Sequence, residues 1–100
     1  MKVLFIDGDI LSGMDQVHDL FASSFGFPAY YGKNLDALYD CLSEISYPFG
    51  VIVVNVKSLK KVLGRRAHAL LALLNDLADE RENFYLIIDP FNESTENKPD

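Results

Sequence analysis

The sequence predicts a small α/β domain with a three-stranded parallel β-sheet packed with helices. Three short apolar runs, at 2–6, 51–56 and 84–88, are typical of buried strands in such a sheet. Helical patterns separate the runs, and parallel strands need crossovers of this kind. One hundred residues, with 49% apolar and 24% charged side chains, are enough for one soluble domain that folds alone.

The first third of the chain predicts a strand, a turn and a helix. The run KVLFI at 2–6 ends at DGD, residues 7–9, which is typical of a turn after a buried strand. Ser12, with Asp15 three residues later, indicates a helix start of the capping-box type. The helix is expected to end near Gly26. Its apolar face consists of Met14, Val17, Leu20, Phe21 and Phe25.

The second half predicts two more strands on either side of a divided helical segment. A break at 48–50 precedes the run VIVVNV at 51–56, and a helical pattern follows from Ser58 to about Arg81. Gly64 is expected to divide this pattern into a short helix and a longer one. The third strand is FYLII at 84–88. Because residues 92–100 lack any apolar side chain, they are predicted to form a disordered tail after a domain that covers 1–91.

A helix expected to begin near Asn34 carries the surface that folding explains least. Asp36, Asp40 and Glu44 lie on one side of it, four residues apart and with no cation between them. Like charges at this spacing destabilise a helix by roughly 0.2–0.5 kcal/mol per pair, so folding alone does not account for them. The opposite side carries apolar residues at i, i+3, i+7 and i+10 and would face the core: Leu35, Leu38, Leu42 and Ile45.

Tyrosines accompany these carboxylates. Tyr39 lies on the acidic side of the helix, and Tyr30 and Tyr31 precede the turn that leads into it. Tyr31 is expected to belong to the core, and Gly32 to permit a backbone angle that other residues resist. Negative charge together with amphipathic rings suits docking on a basic cleft. An ordinary solvated helix face is the simpler alternative, and for Asn34 the simpler alternative is a helix N-cap.

Composition narrows the class of protein. A net charge of −6 disfavours direct binding to nucleic acid or to an anionic membrane and favours basic partners or mere solubility. The single cysteine, Cys41, excludes an internal disulfide and a multi-cysteine zinc site, and it is expected to pack on or beside the apolar face of the acidic helix rather than to react. The first apolar run is too short for a signal sequence, and no run approaches the ~18 apolar residues of a membrane span. The sequence therefore predicts a cytoplasmic protein without cofactor or metal.

The run YYGKNLDALYDCL, with the YP that follows it, resembles the barstar family, whose most recognisable motif is YYGxNLDALWDCL. Members of that family are intracellular inhibitors of a secreted bacterial ribonuclease, and the likeness covers about residues 1–89. It implies a three-stranded parallel sheet packed with helices, which the apolar pattern predicts independently. It also implies that this helix and the loop before it enter the ribonuclease's active site.

The resemblance assigns roles residue by residue. Asp40 matches the carboxylate that stands in for a substrate phosphate, and Asp36 matches one that pairs with the enzyme's cations. Tyr39 takes the place of a tryptophan, Lys33 replaces an acid, and the segment between Cys41 and Tyr47 is one residue shorter than the family's. These departures alter the surface that sets specificity for the partner enzyme. The predicted partner-binding residues are Tyr30, Gly32, Asn34, Asp36, Tyr39, Asp40, Glu44 and Asp76.

Two alternatives stay open beside a ribonuclease inhibitor without catalysis of its own. An immunity or adaptor protein would keep this fold and acidic face but bind a different basic toxin or partner. A Mg²⁺-dependent phosphatase of the haloacid dehalogenase type would use Asp7 and Asp9, with Asp89 nearby at the carboxyl ends of the strands. Aspartates in ordinary turns explain that pattern as well. His18 and His68 are isolated in sequence and are expected to be surface or half-buried helix residues.

Overall fold

Three strands and four helices make up the described part of the chain. The computed structural model describes residues 1–89; residues 90 and 91 of the predicted domain and the predicted tail at 92–100 lie outside them. The elements are β1 (Lys2–Asp7), α1 (Met14–Phe25), α2 (Leu35–Ser43), β2 (Phe49–Val54), α3 (Val56–Leu63), α4 (Arg65–Glu80) and β3 (Phe84–Ile88). None of the helices within residues 1–89 is long and apolar enough to cross a membrane.

The strands form one parallel sheet in the order β1-β2-β3, which confirms the predicted fold class. Both connections move to the next strand in the same direction, and because crossovers between parallel strands are nearly always right-handed, their helices are expected on the same face of the sheet. That face carries the core. Phe49 stacks on Phe84 with ring centroids 4.8 Å apart, and Phe25 from α1 meets Phe49 edge-on at 5.3 Å. Ile6, Phe49, Val51 and Val53 are fully buried there.

The opposite face of the sheet is not covered by these helices. Burial alternates along β1, where Leu4 and Ile6 are buried but Val3 and Phe5 are exposed, and β3 exposes Tyr85 and Ile87. The sequence interpretation of fully buried strands is therefore wrong for one face. Continuous apolar runs are typical of sheets covered on both sides, but crossovers that all proceed in one direction cover only one.

The second strand and the helix after it begin earlier than the apolar pattern predicts. The Phe49 N–H donates to the carbonyl oxygen of Asn83 at 2.9 Å, which draws residues 49 and 50 into β2. Asn55 then adopts a left-handed conformation with φ 56°, so the strand ends at Val54 and α3 begins at Val56. Gly64, at φ 61°, separates α3 from α4 as predicted.

The start of α1 differs from the predicted capping box. Gly13 is the N-cap, and no side chain caps the helix. Instead, the side-chain oxygen of Gln16 accepts hydrogen bonds from the Ser12 N–H at 2.8 Å and the Ser12 hydroxyl at 3.2 Å. The longer amide side chain reaches back to Ser12, which leaves Asp15 exposed in the first turn. The predicted end at Gly26 is confirmed, with φ 67° and its N–H bonded to the Ala22 carbonyl.

Candidate functional site

Helix α2 is fixed at its start and along one side. Asn34 is its N-cap, with the side-chain oxygen accepting a hydrogen bond from the Ala37 N–H at 2.8 Å. This confirms the capping role weighed for Asn34 and the predicted helix start. Leu38 and Leu42 are fully buried and Leu35 is half-buried, so the apolar side faces the core as expected. Asp36 and Asp40 lie between these positions and are exposed on the other side of the helix.

The predicted acidic residues are exposed. Asp36 lies in the first turn of α2, where the helix dipole favours negative charge, but Asp40 lies too far along to benefit. Glu44 is the C-cap of α2, and Asp76 is exposed on α4. Within residues 1–89, none of these four side chains makes a hydrogen bond or a salt bridge. Nothing in the described fold therefore neutralises them.

A groove between α2 and α4 brings three of these carboxylates together. It has a volume of about 550 Å³ and is open to solvent. Asp36 and Asp40 line it from α2, and Asp76 lines it from α4, so the structure joins residues that lie 36 or more positions apart in sequence. Small side chains on α4, Ala69 and Ala72, leave the space between the helices unfilled. The groove is thus acidic, with an apolar floor.

A second depression lies between α2 and the loop before it. Its volume is about 210 Å³, and the predicted contacts Tyr30, Gly32 and Glu44 line it together with Asp40. Tyr30 is 87% exposed, although an aromatic ring is normally drawn into the interior. Asp40 lines both the groove and this depression. It therefore occupies the ridge between the two concave surfaces and is the most central carboxylate of the site.

The tyrosine loop enters α2 with a backbone conformation that differs from the sequence interpretation. Lys33, not Gly32, has the left-handed angle, with φ 54°. At Gly32 a Cβ would lie 3.2 Å from the Nδ2 atom of Asn34, so a larger residue would press on the capping side chain. Lys33 forms a salt bridge with Asp19 at 3.0 Å, and this hydrogen-bonded contact raises the pKa of Lys33.

A buried pair holds the loop against α1. His18 is only 3% exposed, so its predicted surface or half-buried position is wrong. Its Nδ1 atom shares a hydrogen bond of 2.5 Å with the hydroxyl of Tyr31, which is half-buried as part of the core, as predicted. Burial lowers the pKa of His18, with Lys33 acting in the same direction, and burial raises the pKa of Tyr31 to about 12. Both groups are therefore neutral near pH 7, which suits an interior hydrogen bond.

Tyr39 connects the two helices across the groove. Its hydroxyl donates a hydrogen bond to the carboxylate of Glu80 on α4, and this contact is the main reason that the pKa of Tyr39 is raised. The sequence interpretation missed Glu80. The spacing could have indicated it, because Asp76 and Glu80 are four residues apart on α4, as Asp36 and Asp40 are on α2.

Two other candidate groups have structural surroundings. Cys41 is half-buried, and burial raises the pKa of its thiol, so it packs as predicted and lacks thiolate character. Asp7 accepts hydrogen bonds from the Asp9 N–H at 2.9 Å and from the Asn55 side chain at 2.7 Å, and the Asn55 contact chiefly lowers its pKa. Among residues 1–89, no group of three histidine, cysteine or acidic side chains could hold a metal ion. The arrangement at 7–9 is that of a structural turn.

The fold and the site define a small α/β protein with an exposed acidic and aromatic face. A sequence profile of the Barstar family, described as Barstar (barnase inhibitor), matches residues 1–89, and the chain belongs to this family. A Bacillus subtilis (strain 168) protein named "Putative ribonuclease inhibitor YrdF" is 32% identical over 91 residues, which cover 89% of this chain and all of that protein. These matches confirm the resemblance and support a barnase-inhibitor-like role in a family of inhibitors, not enzymes.

Proposed function

We propose that this chain inhibits a basic ribonuclease by placing α2 and the tyrosine loop in the enzyme's active site. The observation that carries the proposal is the position of Asp40, which is exposed, has no partner among residues 1–89 and lines both concave surfaces. A carboxylate in that position can replace a substrate phosphate against arginine, lysine and histidine side chains. Charge-assisted hydrogen bonds of this kind are short and strong.

Charge supports the proposal beyond a single residue. Asp36, Asp40 and Asp76 line one groove in a chain whose net charge is −6. A basic enzyme would be attracted over a distance, which raises the association rate. Once the groove closes against the enzyme, water is excluded, and release is slowed because the charge-assisted hydrogen bonds across the interface must break first.

Aromatic rings supply contact area around the charges. Tyr30 projects from the loop, and Tyr39 lines the groove on the other side of Asp40. Tyrosine is common among residues that dominate binding energy, because its ring is large and loses little conformational freedom. The Tyr39 ring is already held by Glu80, so it would pay little additional entropy on binding.

Lys33 and Tyr39 bear on the choice of partner. Lys33 adds a cation to an otherwise acidic surface and forms a salt bridge with Asp19. Tyr39 presents a smaller ring than tryptophan and donates a hydrogen bond to Glu80. Both contacts alter the surface that sets specificity. They favour, as a second candidate, an immunity or adaptor protein of the same fold directed at another basic toxin. An inhibitor that protects the cell producing the enzyme must meet it inside, so the proposal includes a cytoplasmic location.

The decisive experiment measures RNA cleavage by a barnase-type ribonuclease with an equimolar amount of this protein at low salt. Asp40→Ala is compared with Asp9→Ala, a matched exposed carboxylate at the edge of the sheet. We expect the natural protein and Asp9→Ala to inhibit, and Asp40→Ala to inhibit far less. Raising the salt concentration should weaken inhibition, because exposed charges are screened.

Circular dichroism establishes that each variant is folded before it is assayed. A folded natural protein that leaves the ribonuclease fully active would contradict the proposed partner. It would favour the second candidate, an immunity or adaptor protein directed at another basic toxin. That candidate is tested by capture of basic secreted proteins of the host on immobilised protein, with Asp40→Ala as the control surface. Inhibition that survives in Asp40→Ala would instead contradict the central role of that residue.

A further inference from the structure

A third depression adjoins the acidic groove near the start of α4. Its volume is about 310 Å³, and Leu35 lines both this depression and the groove, so the two surfaces are continuous. Two cations line the depression: Lys33, in the loop before α2, and Arg66, in the first turn of α4. Both side chains are exposed, and together they form a cationic rim beside the groove. The proposed function does not use the cationic rim.

One side of α4 changes in charge along these two surfaces. Arg66 lines the depression, Ala69 and Leu73 line the groove, and Asp76 lines the groove further along the helix. These four residues recur at i, i+3, i+7 and i+10, a spacing that places them on one side of a helix. The surface therefore runs from positive through apolar to negative over roughly 15 Å of helix.

Folding does not account for the position of Arg66. The helix dipole disfavours a cation in the first turn of a helix, and α4 has no acidic residue in that turn to compensate. Within residues 1–89, the Arg66 side chain makes no hydrogen bond or salt bridge. Asp15 lines the same depression from α1, but it forms no salt bridge with either cation of the rim. Arg66 thus shares the properties that single out Asp40: it is exposed, without a partner in the described fold, and beside a concave surface.

We propose that the cationic rim binds a carboxylate of the partner ribonuclease, at the margin of that enzyme's basic active site. This inference rests on the proposed function and concerns the choice of partner. An acidic groove alone fits many basic clefts, but a surface that runs from positive to negative fits only one with the opposite arrangement, so the rim also fixes the orientation of the enzyme. Arg66 suits this contact, because the donors of a guanidinium group match the two oxygens of a carboxylate.

Lys33 contributes less to the rim than Arg66 does. It already forms a salt bridge with Asp19 at 3.0 Å, in which the two side chains are 43% and 67% exposed. Exposed pairs of this kind hold their partners weakly, so Lys33 can turn toward a carboxylate of the enzyme, but it must share or leave Asp19 to do so. Arg66 has no such contact to give up.

Charge reversal distinguishes this local contact from the field of the whole protein. The chain carries a net charge of −6, and replacing an arginine with glutamate makes it two units more negative. Long-range attraction to a basic enzyme then increases, so Arg66→Glu should associate faster if the rim makes no contact. The proposed contact predicts the opposite effect, because the new glutamate would face a carboxylate of the enzyme. Arg65→Glu is the matched control, since Arg65 is the exposed neighbour of Arg66 on α4 and does not line the depression.

Binding kinetics of the full chain with a barnase-type ribonuclease at low salt test the proposal. We expect Arg66→Glu to bind about tenfold or more weakly than the natural protein, chiefly through faster dissociation, and Lys33→Glu to lose less. Arg65→Glu should associate faster, because its charge acts only at long range. Both α4 variants place an acid where the helix dipole favours it, so loss of the fold would not explain weaker binding, and thermal unfolding checks this.

Exchange of charge on the enzyme completes the test. An enzyme variant in which one acidic residue beside the active site is changed to lysine should restore the affinity of Arg66→Glu, which would identify the bound carboxylate. Arg66→Glu binding as tightly as Arg65→Glu would overturn the cationic rim, and so would failure of every such enzyme variant to restore binding. If the natural protein still inhibits and Asp40→Ala does not, only this inference fails. A natural protein that does not bind the ribonuclease overturns both the rim and the proposed function.

Discussion

The same residue type is used in two opposite ways at the end of β1 and on α2. Asp7 accepts hydrogen bonds from the Asn55 side chain and from the Asp9 N–H, so its carboxylate already has partners inside the fold. Asp40 has no such partner among residues 1–89 and lies between two carboxylates of its own helix. One carboxylate therefore has its partners inside the fold, while the other has none there, and in the proposed function it binds the ribonuclease.

This contrast separates a candidate binding residue from a structural one. Both clusters suggest function in the sequence, since aspartates at the ends of parallel strands are as typical of active sites as acidic helices are of interfaces. Internal hydrogen bonds separate them, because a group that already has its partners has little free energy to offer another molecule. Substitutions should accordingly affect binding at one cluster and stability at the other.

The largest expected effect is on affinity at Asp40. Asp40→Ala should weaken binding to a ribonuclease partner by about 2–5 kcal/mol or more, because cationic groups of the enzyme would be left buried and unpaired. This magnitude is the family's own, since charge pairs at a barnase–barstar interface helped to define it. Titration calorimetry measures the affinity. Unfolding by urea should show no loss of stability, because alanine is the better helix former.

Asp7→Ala should produce the opposite pattern. Removing the carboxylate leaves the Asn55 side chain and the Asp9 N–H without their acceptor, which should lower the free energy of unfolding by about 1–2 kcal/mol. Asn55 precedes α3 in a left-handed conformation, so the start of that helix should loosen as well. Urea unfolding measures the loss, with Asp9→Ala as an exposed control.

Inhibition by the folded Asp7→Ala protein should equal that of the natural protein. A selective loss of affinity in this variant would contradict the contrast between Asp7 and Asp40, because it would show that the end of β1 also belongs to the binding surface. Equal stability of Asp7→Ala and Asp9→Ala would show instead that the two hydrogen bonds contribute nothing net.

Glu80 is the intermediate case, because its carboxylate lies beside the acidic groove but is bonded to Tyr39. Tyr39→Phe should lower affinity by less than about tenfold, since the ring stays while its hydroxyl no longer holds it in place. Tyr85→Phe is the matched control, as Tyr85 is exposed on the other side of the sheet. A Tyr39→Phe variant that binds more tightly would indicate that freeing Glu80 is worth more to the partner than the orientation of the ring.

Much of the fold could be predicted from the sequence because three apolar runs and the helices between them allow few topologies. The uncovered face of the sheet could not be predicted, since apolar periodicity does not reveal which side a crossover covers. The early start of β2 could not either, because it depends on a backbone bond between Phe49 and Asn83, which are far apart in sequence. The burial of His18 was not predicted either, because its partner Tyr31 comes from the loop before α2.

The candidate site divides along similar lines. Charge spacing within one helix is enough to single out Asp36 and Asp40, and their binding role stays a prediction. Asp76 was indicated by the family resemblance, and the structure places it in the same groove as those two residues. Glu80 was missed although it lies four residues after Asp76 on α4, because its contact with Tyr39 joins α4 to α2 and neither helix reveals that contact alone. The sequence therefore predicts properties of single segments, but it does not predict contacts between elements.

The smallest expected effect also bears most directly on why the acidic helix exists. Asp40→Asn should raise the free energy of unfolding slightly, because it removes repulsion from Asp36 and Glu44, about 0.2–0.5 kcal/mol for each pair at low salt, and a negative charge from the C-terminal half of α2. Matched urea unfolding curves at low and high salt should show the gain fading as charges are screened. A destabilised Asp40→Asn protein would mean that the fold itself uses this carboxylate. A gain in stability combined with a loss of inhibition would show that the repelling carboxylates of α2 serve binding and not folding.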